Sequence, residues 1–487
     1  MSRPAARPSR AGRAARAGRA ALVLAVALVL GLAGTPAAAA AAQGGFGRGP
    51  ELGIARMLAE PAVLGDGRVL LTGGFGFPGI LASNEIYQPG SGGWLRAAPL
   101  VSPRFGHAAV TLLDGRVLIA GGANLTASYL DSAELYDPAS GSWTVSPATT
   151  GPRAFATATL LGDGRVLVAG GRNATAHAIA TAEVFDPASA GWTRVASMRG
   201  ARSHATANLL RDGRVLVAGG LDAKDGQLAS AELFDPRTNT WSAAPGMHVA
   251  RANDTATLLG DGRVLVAGGG DRPSGFTAAA EIYDPAQGGW SQAAKMADAR
   301  GFATATPLRD GRVLVAGGYG NRGDLAGAET FDPRTGRWSS VGPLATPRGQ
   351  ATAALLPGGR VLVAGGQRYT GGFLGSSEIF DPDVTARIGP SGLAVSPARV
   401  RGQRRVTLSY RAPAAGSSVI RIERTRTGGG WTRLPERIVH RDVVGKNRVR
   451  VALVHGGRRL APGAYRLVLA RVGASSGAMT AAFSIVS

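Results

Sequence analysis

Short apolar runs recur along the chain. Val69-Leu70-Leu71-Thr72, Val117-Leu118-Ile119-Ala120 and Val166-Leu167-Val168-Ala169 are three of seven, the last being Val361-Leu362-Val363-Ala364. Their continuous rather than alternating apolar pattern predicts strands covered on both faces. Asp-Gly precedes the run in six copies, as in Asp114-Gly115, and Gly358-Gly359 takes its place in the seventh. Between two β-rich stretches this pair predicts a hairpin with a primed turn. A glycine doublet follows each run, starting at Gly73, Gly121, Gly170, Gly219, Gly268, Gly317 and Gly365, with steps of 48 or 49 residues. Lacking side chains, the doublet allows a sharp bend or lets an aromatic ring pack against bare backbone. After a variable stretch, Glu134-Leu135-Tyr136-Asp137-Pro138 reads as a third strand that proline terminates, and Trp143 begins a fourth.

One four-stranded unit is therefore copied seven times. The doublets, the aromatics Tyr87, Tyr136, Phe185, Phe234, Tyr283, Phe331 and Phe380, and the tryptophans Trp94, Trp143, Trp192, Trp241, Trp290 and Trp338 make residues 43–386 resemble the kelch-repeat β-propellers. The resemblance implies an all-β fold: a seven-bladed kelch β-propeller. The seventh copy has no tryptophan after Phe380-Asp381-Pro382. Each tryptophan of the first six copies lies ten residues before a blade-opening arginine, and ten before the first such arginine, Arg56, stands Phe46. The ring is thus expected to close by an N-terminal strand that supplies the fourth strand of blade seven, leaving no open sheet edge.

Charge separates the ring from the C-terminal tail. Residues 43–386 carry 29 basic and 29 acidic side chains, whereas 387–487 carry 19 against 3. That tail alternates β-rich segments, such as Arg448-Val449-Arg450-Val451-Ala452-Leu453, with Gly/Pro turns, and predicts a C-terminal β-sandwich. It resembles the immunoglobulin-like sandwiches of secreted actinobacterial proteins through Leu460-Ala461-Pro462-Gly463-Ala464-Tyr465-Arg466-Leu467 and a final Phe-x-Ile-Val strand. Arginines alternating along its strands form a positive sheet face suited to anionic cell-surface polymers, the alternative being an ordinary solvated surface. Nucleic acid is not expected, because few aromatics are left for stacking. Residues 1–42 begin with six arginines and no acid, followed by an apolar stretch from Ala20 to Leu30 and an alanine run. This reads as a signal peptide cleaved near Ala42; a membrane anchor is the alternative, but the apolar core is shorter than the ~20 residues of a span. The protein is expected to be secreted or extracellular, with no membrane span after cleavage.

The chain has no cysteine. This removes thiol catalysis, thiolate metal sites and iron–sulfur clusters. Galactose oxidase, the best-known enzyme on a seven-bladed kelch ring, belongs to a copper-radical family with a cysteine–tyrosine crosslink that cannot form here. No cofactor or metal is expected, and no residue is assigned a catalytic role. Residues present once per blade, such as Arg104 with Glu134, are expected to serve the fold as buried ion pairs. Ligand contacts are sought where the copies differ, on the face carrying the second-to-third strand loops. In those loops the candidates are Tyr129, Arg172, Asp271, Arg272, Tyr319, Arg322, Arg368 and Tyr369. At the start of the innermost strands, lining a central channel, they are His107, His204, Asn253, Asp254 and Gln350, with Glu60. The favoured reading is a non-enzymatic module that binds a carbohydrate or protein ligand. The competing one is a carbohydrate-active kelch enzyme, a sugar mutarotase or an oxidase without the crosslinked copper site.

Overall fold

The computed structural model describes residues 43–385, apart from 127 and 272–274, and the strands between 391 and 486; the proposed signal segment lies outside the described residues. Seven four-stranded antiparallel sheets build the ring, and in the first six the strands run in chain order from the inside outward. Blade two, for example, runs Ala108–Thr111, Val117–Ala120, Ala133–Asp137 and Ser142–Ser146. Innermost strands touch from blade to blade, and Glu60–Val63 of blade one touches Thr352–Leu355 of blade seven, so the circle is complete. No helix occurs among the described residues.

The continuous apolar runs are second strands, buried at all four positions in every blade. They are sandwiched between neighbours: Leu167 and Val184 of blade three share a core with Val215, Val217 and Phe234 of blade four. Across the outer strand pair, Trp143 stands opposite Tyr136, and its Nε1 donates to the Ala98 carbonyl of the preceding blade at 3.0 Å. Trp192, Trp241, Trp290 and Trp338 make the same link. Trp94, where blades seven and one meet, has no acceptor for its indole N–H.

Blade seven takes its fourth strand from Gln43–Arg48, which pairs antiparallel with Ser377–Thr385. Phe46 stands opposite Phe380, as Trp143 does opposite Tyr136, and the two phenylalanine rings lie 5.2 Å apart.

Two local expectations are corrected. In the first hairpins only the glycine takes a positive φ, 88° at Gly115, and its N–H donates to the Leu112 carbonyl. Asp114 instead accepts the Arg116 N–H at 3.0 Å, an Asx-type bond that leaves its own backbone in the ordinary region. The loop is therefore a wider turn with a left-handed glycine, not a primed two-residue turn. The glycine doublets do take the bent, left-handed backbone, with φ 66° at Gly121 and 103° at Gly122, but what approaches them is backbone rather than an aromatic ring. A Cβ on Gly121 would stand 2.3 Å from the Arg153 carbonyl oxygen of the next blade, and one on Gly170 2.4 Å from that of Arg202.

These glycines belong to a staple repeated at each junction. The second glycine of each doublet donates its N–H to the carbonyl of the next blade's arginine, from Gly74 to Arg104 round to Gly366 to Arg56. The same arginine turns its side chain back into its own blade. Arg104 donates to the Gly121 and Ser132 carbonyls at 2.7 and 3.0 Å and to Glu134 at 2.6 Å. Glu134 also accepts the N–H groups of Val101 and Ser102 at 2.8 and 3.3 Å, fixing the chain that enters the blade. Equivalent ion pairs join Arg56–Glu85, Arg153–Glu183, Arg202–Glu232, Arg251–Glu281, Arg300–Glu329 and Arg348–Glu378. Burial lowers the pKa of Arg104 while Glu134 opposes the shift. Such a pair yields little net stability, but removing one partner strands the other's charge out of water.

Beyond the ring, Ser391–Ser396, Arg405–Ala412 and Gly445–Ala452 form one sheet in that order. Arg399–Arg401, Met479–Val486, Gly463–Arg471, Gly416–Thr425 and Trp431–Asp442 form a second. Ile420, Ile422 and Val451 are buried.

Replacing Arg202 by Met leaves Glu232 as a buried uncompensated carboxylate. We expect a loss of about 3–5 kcal/mol in urea denaturation, whereas a loss below about 1 kcal/mol, the range of an exposed pair, would show that the staple is not structural.

Candidate functional site

The innermost strands begin with a repeated backbone feature. Leu58, Phe155, His204, Asn253, Phe302 and Gln350 all have φ between 52° and 55°, and Gly106 holds the same place in blade two with φ 59°. Each of these six side-chain-bearing residues donates its N–H to the carbonyl of its counterpart in the preceding blade, as in His204 to Phe155 at 3.1 Å and Gln350 to Phe302 at 3.0 Å. A girdle of backbone bonds thus spans six of the seven junctions at the mouth of the ring. The left-handed conformation is costly for residues with a Cβ. Here the inter-blade bonds hold it in place.

From this girdle the side chains join the loops in two arcs of aromatic contacts. One runs Phe77–Phe373–Phe75–Phe105–Phe155 and ends on His204, whose ring stacks on Phe155 with centroids 4.2 Å apart. The other runs Phe276–Phe302–Tyr319–Tyr369. Phe77 and Tyr369 are 79% and 53% exposed, so the rim is open to ligand. Between the arcs, at blades three to five, stand polar groups. His177 Nδ1 lies 2.5 Å from Asp225 Oδ2, Arg172 lies 3.9 Å from Asp225 Oδ1, and Asn253 donates to the Gly270 carbonyl at 3.4 Å. Burial, reinforced by the charge of Arg172 and opposed by Asp225, pushes the His204 pKa down to about 4, so its imidazole is neutral at pH 7.

Loops of adjacent blades are tied together. Asn321 clamps Phe276, accepting its N–H at 2.7 Å and donating to its carbonyl at 3.0 Å, and Asp324 accepts the Tyr369 N–H at 2.8 Å. The rim is therefore built before a ligand arrives, which lowers the ordering cost of binding.

The sequence candidates fall into distinct places. His204, Asn253, Gln350, Arg172 and Tyr369 belong to the mouth. Arg322 is exposed in a neighbouring loop and Arg368 in the short hairpin where it stands opposite Gly372, while Tyr129 and Asp271 lie in short hairpins, paired with Ala123 and Gly275. Arg272 lies outside the described residues. Tyr319 is corrected: it is 8% exposed and packs between Phe302 and Tyr369, supporting the rim rather than offering a free contact. His107 is corrected as well. It is 3% exposed and turned to the Thr72 hydroxyl at 2.9 Å, and burial lowers its pKa to about 3. The phenylalanines of the rim were not among the candidates. Their signal is an aromatic one or two residues after the blade-opening arginine, at Phe105, Phe155 and Phe302.

Asp254 holds the place in blade five that His107 holds in blade two, where other blades have alanine. Neither of its carboxylate oxygens has a hydrogen-bond partner. Burial lifts its pKa to about 7; Arg251 and the nearby Thr206 hydroxyl oppose the shift, the latter without reaching bonding geometry. Glu60 is likewise raised to about 7 by burial. A cavity of about 350 Å³ lies elsewhere, at the junction of blades seven and one among Glu51, Ile54, Glu85, Trp94 and Arg96. Glu85 there is already committed to Arg56 and two backbone N–H groups, so the rim rather than this cavity is the better candidate site.

Comparison with known proteins agrees with the ring. Residues 104–148, 153–199, 206–248 and 304–345 match the Kelch motif. No curated protein matches the sequence. Among solved structures, a fungal alcohol oxidase, described as having catalytic diversity among the AA5 family and determined in complex with copper, is similar at 19% identity, covering 91% of this chain and 99% of its own, with a TM-score of 0.57. A structure described as YjhT is similar at 18% identity over 57% of this chain and 94% of its own, with a TM-score of 0.47. The first likeness is one of fold. The cysteine–tyrosine crosslinked copper centre does not fit this chain, which has no cysteine, and among the described residues no group of three or more His, Asp or Glu side chains is placed to hold a metal.

Asp254 gives a prediction with a definite sign. Its carboxyl titrates near 3.8 unfolded and near 7 folded, so the folded state retains a proton between these values and stability falls as pH rises through that window. Asp254→Asn should leave thermal stability nearly unchanged at pH 4 and raise it at pH 8 by on the order of 2–4 kcal/mol. An equal effect at both pH values would contradict the assignment.

Proposed function

We propose that the protein is an exported, non-enzymatic binding module whose propeller takes a carbohydrate on the aromatic rim, while its basic C-terminal region attaches it to anionic polymers of the cell surface. The aromatic rim, interrupted by a polar sector, carries this reading. Sugar rings present apolar C–H faces and hydroxyl edges, and a surface with rings on two sides and Arg172, His177, Asn253 and Asp225 between them complements both. Aromatic side chains supply large contact area at little entropy cost. Export is supported by the arginine-rich, apolar start of the sequence, and attachment by the excess of 19 basic over 3 acidic residues in 387–487. We read that region as an immunoglobulin-like sandwich, because in both sheets the register gathers apolar residues on one face, with Val406 opposite Val451 and Ile420 opposite Leu469.

The catalytic alternative has one observation in its favour, the contact of His177 with Asp225, an arrangement that orients an imidazole as a general base. Both groups are exposed, at 59% and 43% of their side-chain surface, so water competes for the proton. Binding is the reading the geometry favours.

A glycan array probed with the parent protein and with Phe77→Ala/Tyr369→Ala tests this. We expect discrete glycan hits that the double variant loses by more than about tenfold, equivalent to ~1.4 kcal/mol, at unchanged melting temperature. Leu113→Ser, in a first-to-second strand turn, should bind like the parent. No glycan hit, or equal loss in the Leu113 variant, would sink the reading.

A further inference from the structure

The basic charge of the C-terminal region is confined by strand register. Its acids are Glu423, Glu436 and Asp442, and all three lie in Gly416–Thr425 and Trp431–Asp442 of the five-stranded sheet. Glu423 is flanked in register by Arg433 on one side and Arg466 on the other. The three-stranded sheet has no acid in its strands. There the register sets Arg411 opposite Lys446, Ser409 opposite Arg448, Thr407 opposite Arg450 and Arg405 opposite Ala452. Because successive residues of a strand alternate between faces, Arg405, Arg411, Lys446, Arg448 and Arg450 share one face. Val406, Leu408, Val449 and Val451 share the other, and Val451 is fully buried.

Five cations with no acid opposite them in register give this face a single sign of charge, complementary to a polyanion. Lys446, Arg448 and Arg450 recur at every second residue, a spacing of ~6.8 Å along the strand. The register sets Arg411 opposite Lys446, two like charges in one cross-strand position. A bound polyanion would balance both charges. The face holds no aromatic on which a base could stack, since Tyr410 falls on the opposite side, and this argues against single-stranded nucleic acid.

We infer that the face carrying Arg405, Arg411, Lys446, Arg448 and Arg450 is the attachment surface, and that its ligand is an extended polyol-phosphate chain lying along Gly445–Ala452 with successive phosphodiesters on alternate residues. The inference rests on the surface-attachment reading above. The repeat of such a chain is of the same order as the spacing of the cations, and guanidinium forks suit phosphate oxygens.

The test uses the purified protein on immobilised poly(glycerol phosphate), with polygalacturonate and a single-stranded oligonucleotide as comparison surfaces. Lys446→Ser/Arg448→Ser/Arg450→Ser should weaken binding at least tenfold and lower the slope of log affinity against log salt by about 2–3. Arg421→Ser/Arg437→Ser/Arg441→Ser, which removes equal charge from the five-stranded sheet, should stay within about twofold of the parent. Arg448→Ser alone should lower the salt slope by about one, a readout that loss of structure elsewhere would not mimic. Equal losses in both triple variants, or none in the first, would overturn the choice of face. Tighter binding to polygalacturonate or oligonucleotide would overturn the phosphodiester polymer, and a parent that binds none of the three would remove the attachment reading itself.

Discussion

Each blade-opening arginine is used twice. Its carbonyl takes the N–H of the preceding blade's glycine doublet, and its guanidinium binds the doublet's carbonyl and the glutamate of its own blade. The first use demands glycine, because a Cβ on the first residue of the doublet would collide with that carbonyl, and the second demands a buried carboxylate. Neither half works without the other, so arginine, doublet and glutamate recur together in all seven copies. The last of these contacts, Gly366 to Arg56, joins the two ends of the ring.

Function depends on the parts this scaffold leaves free. With the junctions fixed by backbone and ion pair, each second-to-third strand loop meets the next blade's arginine through one backbone carbonyl, as Leu130 does Arg153 and Leu374 does Arg56, which constrains no side chain and lets the loops differ from blade to blade. The girdle at the mouth gives one variable residue per blade the same left-handed conformation and bonds six of the seven to the counterpart in the preceding blade, and the loops extend it outward. That two of the seven girdle positions hold phenylalanine and another a histidine stacked on one of them gives the rim its aromatic character.

Much of this was legible because the sequence repeats. Blade number, strand order and the closing strand at Phe46 all follow from spacing, and the Arg–Glu pairing from co-occurrence. Contacts between blades were harder to read, although they obey a simple rule: neighbours across a junction lie about one repeat apart, as His177 and Asp225 or Asn321 and Phe276 do. Sequence inspection within a single copy treats such residues as unrelated. Tyr319 and His107 were misjudged for a related reason, since their burial depends on the next blade's loop or on Thr72, a residue that replaces alanine in blade one only. The hairpin turn was misread because Asp-Gly fits both a primed turn and a bulged one, and the deciding bond, from Arg116 to Asp114, comes from the residue after the pair.

Native-state amide hydrogen exchange tests the closed, stapled ring most directly. The account predicts that the Gly366 N–H, bonded across the closing junction to Arg56, exchanges as slowly as its six counterparts from Gly74 to Gly318. Exchange at Gly366 faster by orders of magnitude while the others stay protected would mean a ring that opens between blades seven and one, and a binding face that is not held in one shape.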